Sequence, residues 1–199
     1  MNEKFFDLKS EKQDRIINAA LYLFAVNGYK HASTDEMVRT AGISKGLLFH
    51  YFGSKAGLYA YLVDFSVKYM LYEFKRVIGE ETDYFDYNDR LELAKANVLG
   101  TYPYMNIFVQ NALTADDVSD DLLISEAIAS YTATMKEYSL RLVRPSFAAG
   151  VDAGKVDKLI TYTSRGLTEE FLTTGSMRAE DLYKQISEYL KMIRTMTVA

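Results

Sequence analysis

The chain has 199 residues, of which 49% are hydrophobic and 25% charged, enough for one globular domain or for a small domain joined to a larger one. It contains no cysteine, which excludes disulfides and thiolate metal sites, and we predict neither a metal nor a cofactor. The net charge of −4 is unevenly spread: residues 1–60 carry eight Lys or Arg and six Asp or Glu, whereas residues 61–199 carry 15 and 21.

Location is predicted from what the sequence lacks. No apolar run approaches the roughly 18 residues that a membrane span needs. The first seven residues also lack the apolar core of a signal peptide. A cytoplasmic location is therefore the expectation.

Apolar residues recurring every three or four positions, with only two prolines, predict an all-α fold of about nine helices. A capping box from Ser10 to Gln13 is predicted to open the first helix, and residues 80–89 are predicted to form a loop. The remaining predicted helices cover two short segments within residues 33–51, then residues 55–78, 88–102, a short segment to about residue 115, and residues 121–144, 156–174 and 179–196. Predicted breaks lie at Pro103, residues 116–121, Pro145, residues 150–154 and residues 175–176.

Residues 28–55 carry the most informative pattern. Ser33 is a good N-cap with Glu36 three residues later, and Gly42 stands where a helix must end in the left-handed region. Ser44 then suits the N-cap of a second helix, over about residues 45–51. Two short helices joined by such a turn are typical of a helix-turn-helix, whose second helix enters the DNA major groove.

The start of that second helix has the chemistry to read DNA. Lys45 can reach guanine acceptors or a phosphate, Gly46 lets the backbone approach closely, and Leu47 can touch a thymine methyl group. Leu48 and Phe52 are expected to face the core. Any one of these residues alone is usually a solvated or a packing residue, so the prediction depends on the joint pattern.

Residues 13–60 resemble the DNA-binding domain of the tetracycline-repressor (TetR) family of transcriptional regulators. The matching positions are Ile17, Ala20, Phe24, Gly28, Tyr29, Thr34, residues 41–46, residues 50–52, Lys55 and Leu58. The resemblance implies that Thr34, Ser44, Tyr51 and Lys55 contact phosphates, while Lys45, Gly46, Leu47 and His50 lie nearest the bases.

Two positions depart from the family pattern. Phe49 stands where the family most often has Tyr, so no phosphate contact is assigned to it. Gly57 replaces an acidic or helix-favouring residue, which predicts a looser start of the fourth helix.

The same resemblance implies a helix-turn-helix DNA-binding domain over residues 1–53 and a helical effector-binding and dimerisation domain over residues 54–199. In such proteins the last two helices pack against those of a second subunit, and a homodimer suits a near-palindromic operator with half-sites roughly 34–36 Å apart. The candidate interface residues are Leu167, Phe171, Leu182, Ile186, Tyr189, Leu190 and Ile193. The alternative is that these helices cover only their own core.

The resemblance places an effector pocket among the fourth to eighth helices, and the many aromatic residues and methionines outside the N-terminal part favour a small, largely apolar effector. The candidate pocket residues are Phe65, Tyr69, Tyr102, Met105, Phe108, Tyr131, Met135, Tyr138 and Tyr162. Core packing is the alternative for each of them. Arg165, Glu169 and Glu170 lie one turn apart and are interpreted either as a polar anchor or, preferably, as surface ion pairs.

The predicted function is that of a DNA-binding regulator. The simplest form is a homodimeric repressor that leaves its operator when the effector binds. The alternatives are an activator or co-repressor-dependent regulator, and an all-α protein-interaction scaffold. An enzyme is disfavoured, because both histidines, His31 and His50, lie in the N-terminal part and no nucleophile elbow, P-loop or dinucleotide motif is present. Residues 116–121 lack the glycine and distal glutamate of a calcium loop.

Overall fold

The computed structural model describes residues 3–114, 121–175 and 177–199. In this part of the chain a 3-10 turn, Glu3–Phe5, precedes nine α-helices, which confirms the predicted all-α class. They are α1 Ser10–His31, α2 Thr34–Ala41, α3 Lys45–Phe52, α4 Lys55–Ile78, α5 Tyr84–Thr101, α6 Met105–Leu113, α7 Leu122–Arg141, α8 Ala153–Thr174 and α9 Ala179–Thr197. None of these helices is long and apolar enough to cross a membrane.

Serine side chains cap three of the N-terminal helices, and those at Ser33 and Ser44 were predicted. Ser33, Ser44 and Ser54 each accept a hydrogen bond from the backbone N–H three residues later, at 3.4, 3.2 and 3.0 Å. Gly42 ends α2 in the left-handed region, with φ 66°. Local chemistry therefore fixes the boundaries of α2 and α3.

The capping box predicted at Ser10 is wrong. Ser10 is the first residue of α1, and the N-cap position is Lys9, which makes no side-chain cap bond. The Gln13 amide instead donates to the Leu8 carbonyl at 2.8 Å. A side chain that reaches back past the cap thus holds the chain entering α1.

The predicted loop over residues 80–89 is wrong in its second half. Asp83 accepts hydrogen bonds from the backbone N–H groups of Phe85 and Asp86 at 2.9 and 3.0 Å, so α5 already begins at Tyr84. The segment before α5 also pairs with the residues that follow α7. Val143 donates its backbone N–H to the Thr82 carbonyl at 2.7 Å, and with this pairing α7 ends at Arg141 rather than at residue 144.

Two further boundaries depend on aspartate caps. Asp152 accepts from the Lys155 N–H at 2.8 Å, so α8 begins at Ala153, inside the segment predicted to be a turn. Asp121 accepts from the Leu123 N–H at 2.9 Å and caps α7. The rest of the predicted break at residues 116–121, and Ser176 in the predicted break at residues 175–176, lie outside the described residues.

The chain divides into two compact units. The first contains the described residues of Met1–Tyr69 and Tyr102–Thr134, and the second those of Met70–Thr101 and Met135–Ala199. In the first unit α1 packs on both α2 and α6. Its fully buried side chains include Phe5, Phe24, Leu62, Met105 and Phe108. The functional boundary after residue 53 stays a prediction.

In the second unit α9 packs against α5 and α8. The core of this unit consists of Tyr84, Phe85, Leu99, Val156, Ile160, Leu182, Ile186, Leu190 and Ile193. Inside it the Ser164 hydroxyl donates to the Glu92 carboxylate at 2.7 Å, and Lys95 pairs with the same carboxylate at 2.7 Å. The buried charge of Glu92 is thereby matched.

Candidate nucleic-acid interface

Helices α2 and α3 are joined by a tight turn. The N–H of Gly42 donates to the Arg39 carbonyl at 3.3 Å, and that of Ile43 donates to the Val38 carbonyl at 3.0 Å. Both bonds satisfy carbonyls at the end of α2, and Ser44 starts α3 immediately afterwards. The connection between α2 and α3 is therefore only three residues long, and its hydrogen bonds fix the angle between the two helices.

The inner side of α3 is apolar and buried. Leu48 and Phe52 are buried, as predicted. Phe5, from the N-terminal 3-10 turn, packs against Phe52 and Tyr51, with its ring centroid 5.0 Å from that of Phe52 and 5.6 Å from that of Tyr51. The sequence analysis missed Phe5, because a three-residue turn is too short to show periodicity. An apolar side chain among the charged residues of the N-terminal segment was the one indication that Phe5 is buried.

The outer side of α3 is open at its first turn. Lys45, Gly46 and His50 are exposed, and Leu47 is half-buried. A Cβ added to Gly46 would have no atom within 4 Å, so nothing in the described structure covers the backbone there. The first turn of α3 thus presents a lysine beside uncovered backbone, at the end of the helix through which a recognition helix contacts base edges.

Lys55 occupies a more enclosed position at the start of α4. Its ammonium donates to the Lys30 carbonyl at 3.1 Å and lies 5.0 Å from the centre of the Tyr29 ring. Partial burial lowers the pKa of Lys55. In this conformation Lys55 joins the end of α1 to the start of α4.

The structure explains why position 57 holds a glycine rather than a helix-favouring residue. A Cβ on this residue would collide with the backbone carbonyl oxygen of Phe52 at the end of α3. Glycine therefore permits a close approach between α3 and the first turn of α4.

The remaining predicted contact residues differ in accessibility. Thr34, the first residue of α2, is half-buried, and Ser44 is exposed beside the turn. Tyr51 is only 6% exposed, because its ring packs against Phe5. All eight predicted residues lie on α2, α3, their turn or the start of α4, and their assignment to phosphates or bases stays a prediction.

Residues 16–62 match the sequence profile of the bacterial regulatory proteins of the tetR family. This segment is a domain of the tetR family of bacterial regulatory proteins. The matched segment contains the whole α2–turn–α3 arrangement and extends into α4. No curated protein matches the chain in sequence.

Solved structures extend the fold similarity beyond that segment. A TetR-family regulator from Chloroflexus aurantiacus J-10-fl is 20% identical, with TM-score 0.62, over 98% of this chain and 97% of its own. The ketosteroid regulator KstR2 of Mycobacterium tuberculosis is 15% identical, with TM-score 0.69, over 96% and 97%. The MbdR regulator from Azoarcus sp. CIB is 16% identical, with TM-score 0.61, over 90% and 96%. At these identities the likeness establishes the fold alone.

Six of the nine candidate pocket residues lie in the first unit. The rings of Phe65 and Tyr69 meet that of Tyr102 edge-on, at 5.5 and 5.1 Å between centroids. Phe108 contacts other rings of the core, and Met105 is fully buried. Tyr131, also buried, accepts a hydrogen bond from Gln110 at 3.4 Å.

The other three candidates belong to the second unit and do not share one environment. Tyr138 is buried with the Arg141 guanidinium over its ring, and Met135 is half-buried. Tyr162 is 66% exposed on α8, so it points away from the core in this conformation. Two surface pockets of about 260 and 250 Å³ lie in this unit, one by Phe85 and Arg194 and one by Asn97 and Tyr183. Neither is lined by any of the nine candidates.

The candidate interface residues divide into two groups. Leu182, Ile186, Leu190 and Ile193 are at most 4% exposed, because they fill the core formed with α5 and α8. In this conformation that stripe packs inside the chain, which is the alternative that the sequence left open, and its part in a dimer interface stays a prediction. Leu167 and Phe171 are half-buried at the edge of the same core, and Tyr189 is 39% exposed.

Arg165 pairs with Glu169 at 2.7 Å on the surface, as the preferred interpretation predicted.

The described residues contain no group of three or more His, Cys, Asp or Glu side chains that could hold a metal ion. The matching profile describes regulatory proteins, and the three similar structures are those of regulators.

Proposed function

We propose that the chain is a homodimeric repressor that binds a near-palindromic operator through α3 and is released by a small, largely apolar effector. The observation that carries the proposal is the open first turn of α3, where Lys45 and the uncovered backbone of Gly46 stand above a buried apolar side. A recognition helix contacts base edges through this part of its length.

Within this proposal the contact residues have two roles. Lys45, Gly46, Leu47 and His50 lie on α3 and read bases, whereas Thr34, Ser44, Tyr51 and Lys55 position the protein on phosphates. Lys55 changes partners on binding, because its ammonium is occupied by the Lys30 carbonyl in the described conformation. The free N–H groups at the start of α4 favour an anion at the same place.

The proposed dimer uses the outer faces of α8 and α9. Tyr189, Met192 and Met196 recur at helical spacing on α9 and are 39%, 49% and 68% exposed. On α8, Leu159 and Tyr162 are 47% and 66% exposed. Such stripes of exposed apolar side chains mark interaction surfaces. These exposed side chains take the place, as the proposed interface, of Leu182, Ile186, Leu190 and Ile193, which are buried in the core of the second unit.

Gly166 allows a specific test of this dimer. It lies one turn beyond Tyr162 on α8, and a Cβ there would have no atom within 4 Å. Gly166→Ala should stabilise an isolated helix by up to about 1 kcal/mol. If a partner helix packs closely on α8, the added methyl group should instead raise the dimer dissociation constant. Gly100→Ala, at another uncovered helical glycine on α5, is the control.

Sedimentation across a concentration series measures the dissociation constants of both variants. A larger dissociation constant for Gly166→Ala alone supports the proposed face. Equal behaviour of the two variants, or a monomer at micromolar concentration in the parent, contradicts it.

The effector is proposed to act by shifting populations between two geometries of the dimer. Weakening operator binding 100-fold needs a coupling free energy of about 2.7 kcal/mol, within the ordinary range. The aromatic side chains around Tyr102 are the proposed binding region, and they favour an apolar or aromatic compound over a sugar or a phosphate.

Selection of bound duplexes from a random DNA pool tests the DNA proposal. The protein is first unfolded and refolded to remove any retained effector, and the selection is made at about physiological salt. Enrichment of one inverted repeat is expected. Lys45→Ala should then alter the preferred sequence, whereas Lys55→Ala should weaken binding to every sequence alike. Identical behaviour of the two variants would contradict the assigned roles.

A further inference from the structure

An ion pair connects the first turn of α2 with the first residue of α3. The Lys45 ammonium lies 2.9 Å from one carboxylate oxygen of Asp35 and 3.1 Å from the other. Both side chains are largely exposed, at 50% and 72%. The carboxylate therefore meets the cation on the outer surface, beside the part of α3 proposed to face DNA.

The two side chains are committed to each other. Among the residues that the structure describes, Asp35 is the one partner of the Lys45 ammonium, and Lys45 is the one partner of the Asp35 carboxylate. The neighbouring carboxylate of Glu36 behaves differently, since it pairs with Arg39 within α2 at 3.3 Å. One turn of α2 thus holds two acids, and only Asp35 acts on α3.

This arrangement bears on how a lysine selects its DNA partner. A free lysine is a flexible point charge that any nearby phosphate satisfies, and phosphate contacts supply nearly all sequence-independent binding. Asp35 holds the Lys45 ammonium in place and neutralises it. An exposed pair of this kind shifts an equilibrium by about fivefold at most, so a well-placed base edge can still draw Lys45 away.

We propose that Asp35 is a specificity-determining residue, which restrains Lys45 and thereby weakens binding to DNA of the wrong sequence. The proposal rests on the proposed DNA-binding function. It assigns to an acidic residue of α2 a role in which it contacts no base itself.

The test compares Asp35→Asn with Glu36→Gln, which removes the same charge from the same helical turn without touching Lys45. Each variant is titrated with a random-sequence duplex and with the selected operator, across a series of salt concentrations. For Asp35→Asn we expect affinity for the random duplex to rise about two- to fivefold. The salt slope should steepen by about 0.9, the value for one added phosphate contact. The ratio of operator to random affinity should fall, whereas Glu36→Gln should leave it unchanged.

The double variant Asp35→Asn with Lys45→Ala identifies the route of the effect. If Asp35 acts through Lys45, removing Asp35 in the Lys45→Ala background changes neither the affinity for random DNA nor the salt slope. A persisting effect, or equal effects of Asp35→Asn and Glu36→Gln, overturns the inference while leaving the DNA-binding function intact. A refolded parent protein that binds no duplex in a salt-dependent way overturns the proposed function as well.

Discussion

The hydrogen bond between Tyr102 and Asp14 gives a prediction whose size follows from the structure. The hydroxyl of Tyr102 donates to the Asp14 carboxylate at 2.7 Å, across 88 residues of sequence, and ties the segment before α6 to α1. Tyr102 is 6% exposed, whereas Asp14 is half-buried. Burial, followed by this bond, raises the pKa of Tyr102 above its ordinary value.

Tyr102→Phe should lower the free energy of unfolding by about 1.5 kcal/mol. A hydrogen bond to a charged group contributes about 1.5–3 kcal/mol, and the lower end applies because water can reach the partly exposed Asp14 in the variant. The ring itself stays and keeps its contact with Phe65. A second bond, from the Asn111 amide to the Ala25 carbonyl at 2.9 Å, still holds α6 to α1, so the variant should fold.

Tyr69→Phe is the matched control. The Tyr69 ring lies 5.1 Å from that of Tyr102, yet its hydroxyl makes no hydrogen bond among the described residues. Chemical denaturation at one fixed protein concentration measures both variants, because the proposed dimerisation would make stability depend on concentration. Equal losses in the two variants would refute the reasoning. So would additivity of Tyr102→Phe with Asp14→Ala, since two residues that share a bond must couple.

Three further predictions can be tested on the same protein. Gly46→Ala should stabilise α3 by up to about 1 kcal/mol while lowering the affinity for the operator. Thermal melts measure the stability and DNA titrations measure the affinity. An increase in both stability and affinity would show that the backbone of α3 does not approach DNA there. Phe5→Ala should cost about 3–5 kcal/mol of unfolding free energy, because Phe5 is fully buried behind α3; an unchanged denaturation midpoint would contradict that role. Burial raises the pKa of Tyr59 and Tyr61 to about 12, so their stabilising effect is complete below about pH 10 and is lost as the pH rises toward 12. Alkaline melts should show this loss, and Tyr59→Phe should reduce it; if Tyr59→Phe melts with the same dependence on pH as the parent, the assignment to Tyr59 is wrong.

Local chemistry made the N-terminal helices predictable. Ser33, Gly42 and Ser44 each act within a few residues of their own position, so the sequence alone indicated where α2 ends and α3 begins. Asp83 is an equally good cap, but it lies in a polar stretch with several competing acids, and the start of α5 was misplaced. The end of α7 was not predictable, because it depends on the distant backbone of Thr82.

Long-range packing decided the features that periodicity left open. The spacing of Leu182 and Ile186 predicted a buried face, but it carried no information on whether a partner or α5 covers that face. The pairing of Asp35 with Lys45 was equally hidden, because it joins two exposed residues ten positions apart through the geometry of the turn. The open surface at Gly46, by contrast, was predicted from the absence of a side chain.

The interleaved composition of the two units sets an order of events during synthesis. The first unit draws on nothing beyond Thr134, so every part of the unit that carries the proposed DNA-reading helix has been made while more than sixty residues remain to be translated. The second unit needs α9, because Leu182, Ile186, Leu190 and Ile193 cover Tyr84 and Phe85. A ribosome that stops before α9 would release a chain whose first unit can fold but whose second exposes an apolar core. Such a product is a substrate for proteases and a nucleus for aggregation, so premature termination should remove the protein rather than leave a free DNA-binding fragment.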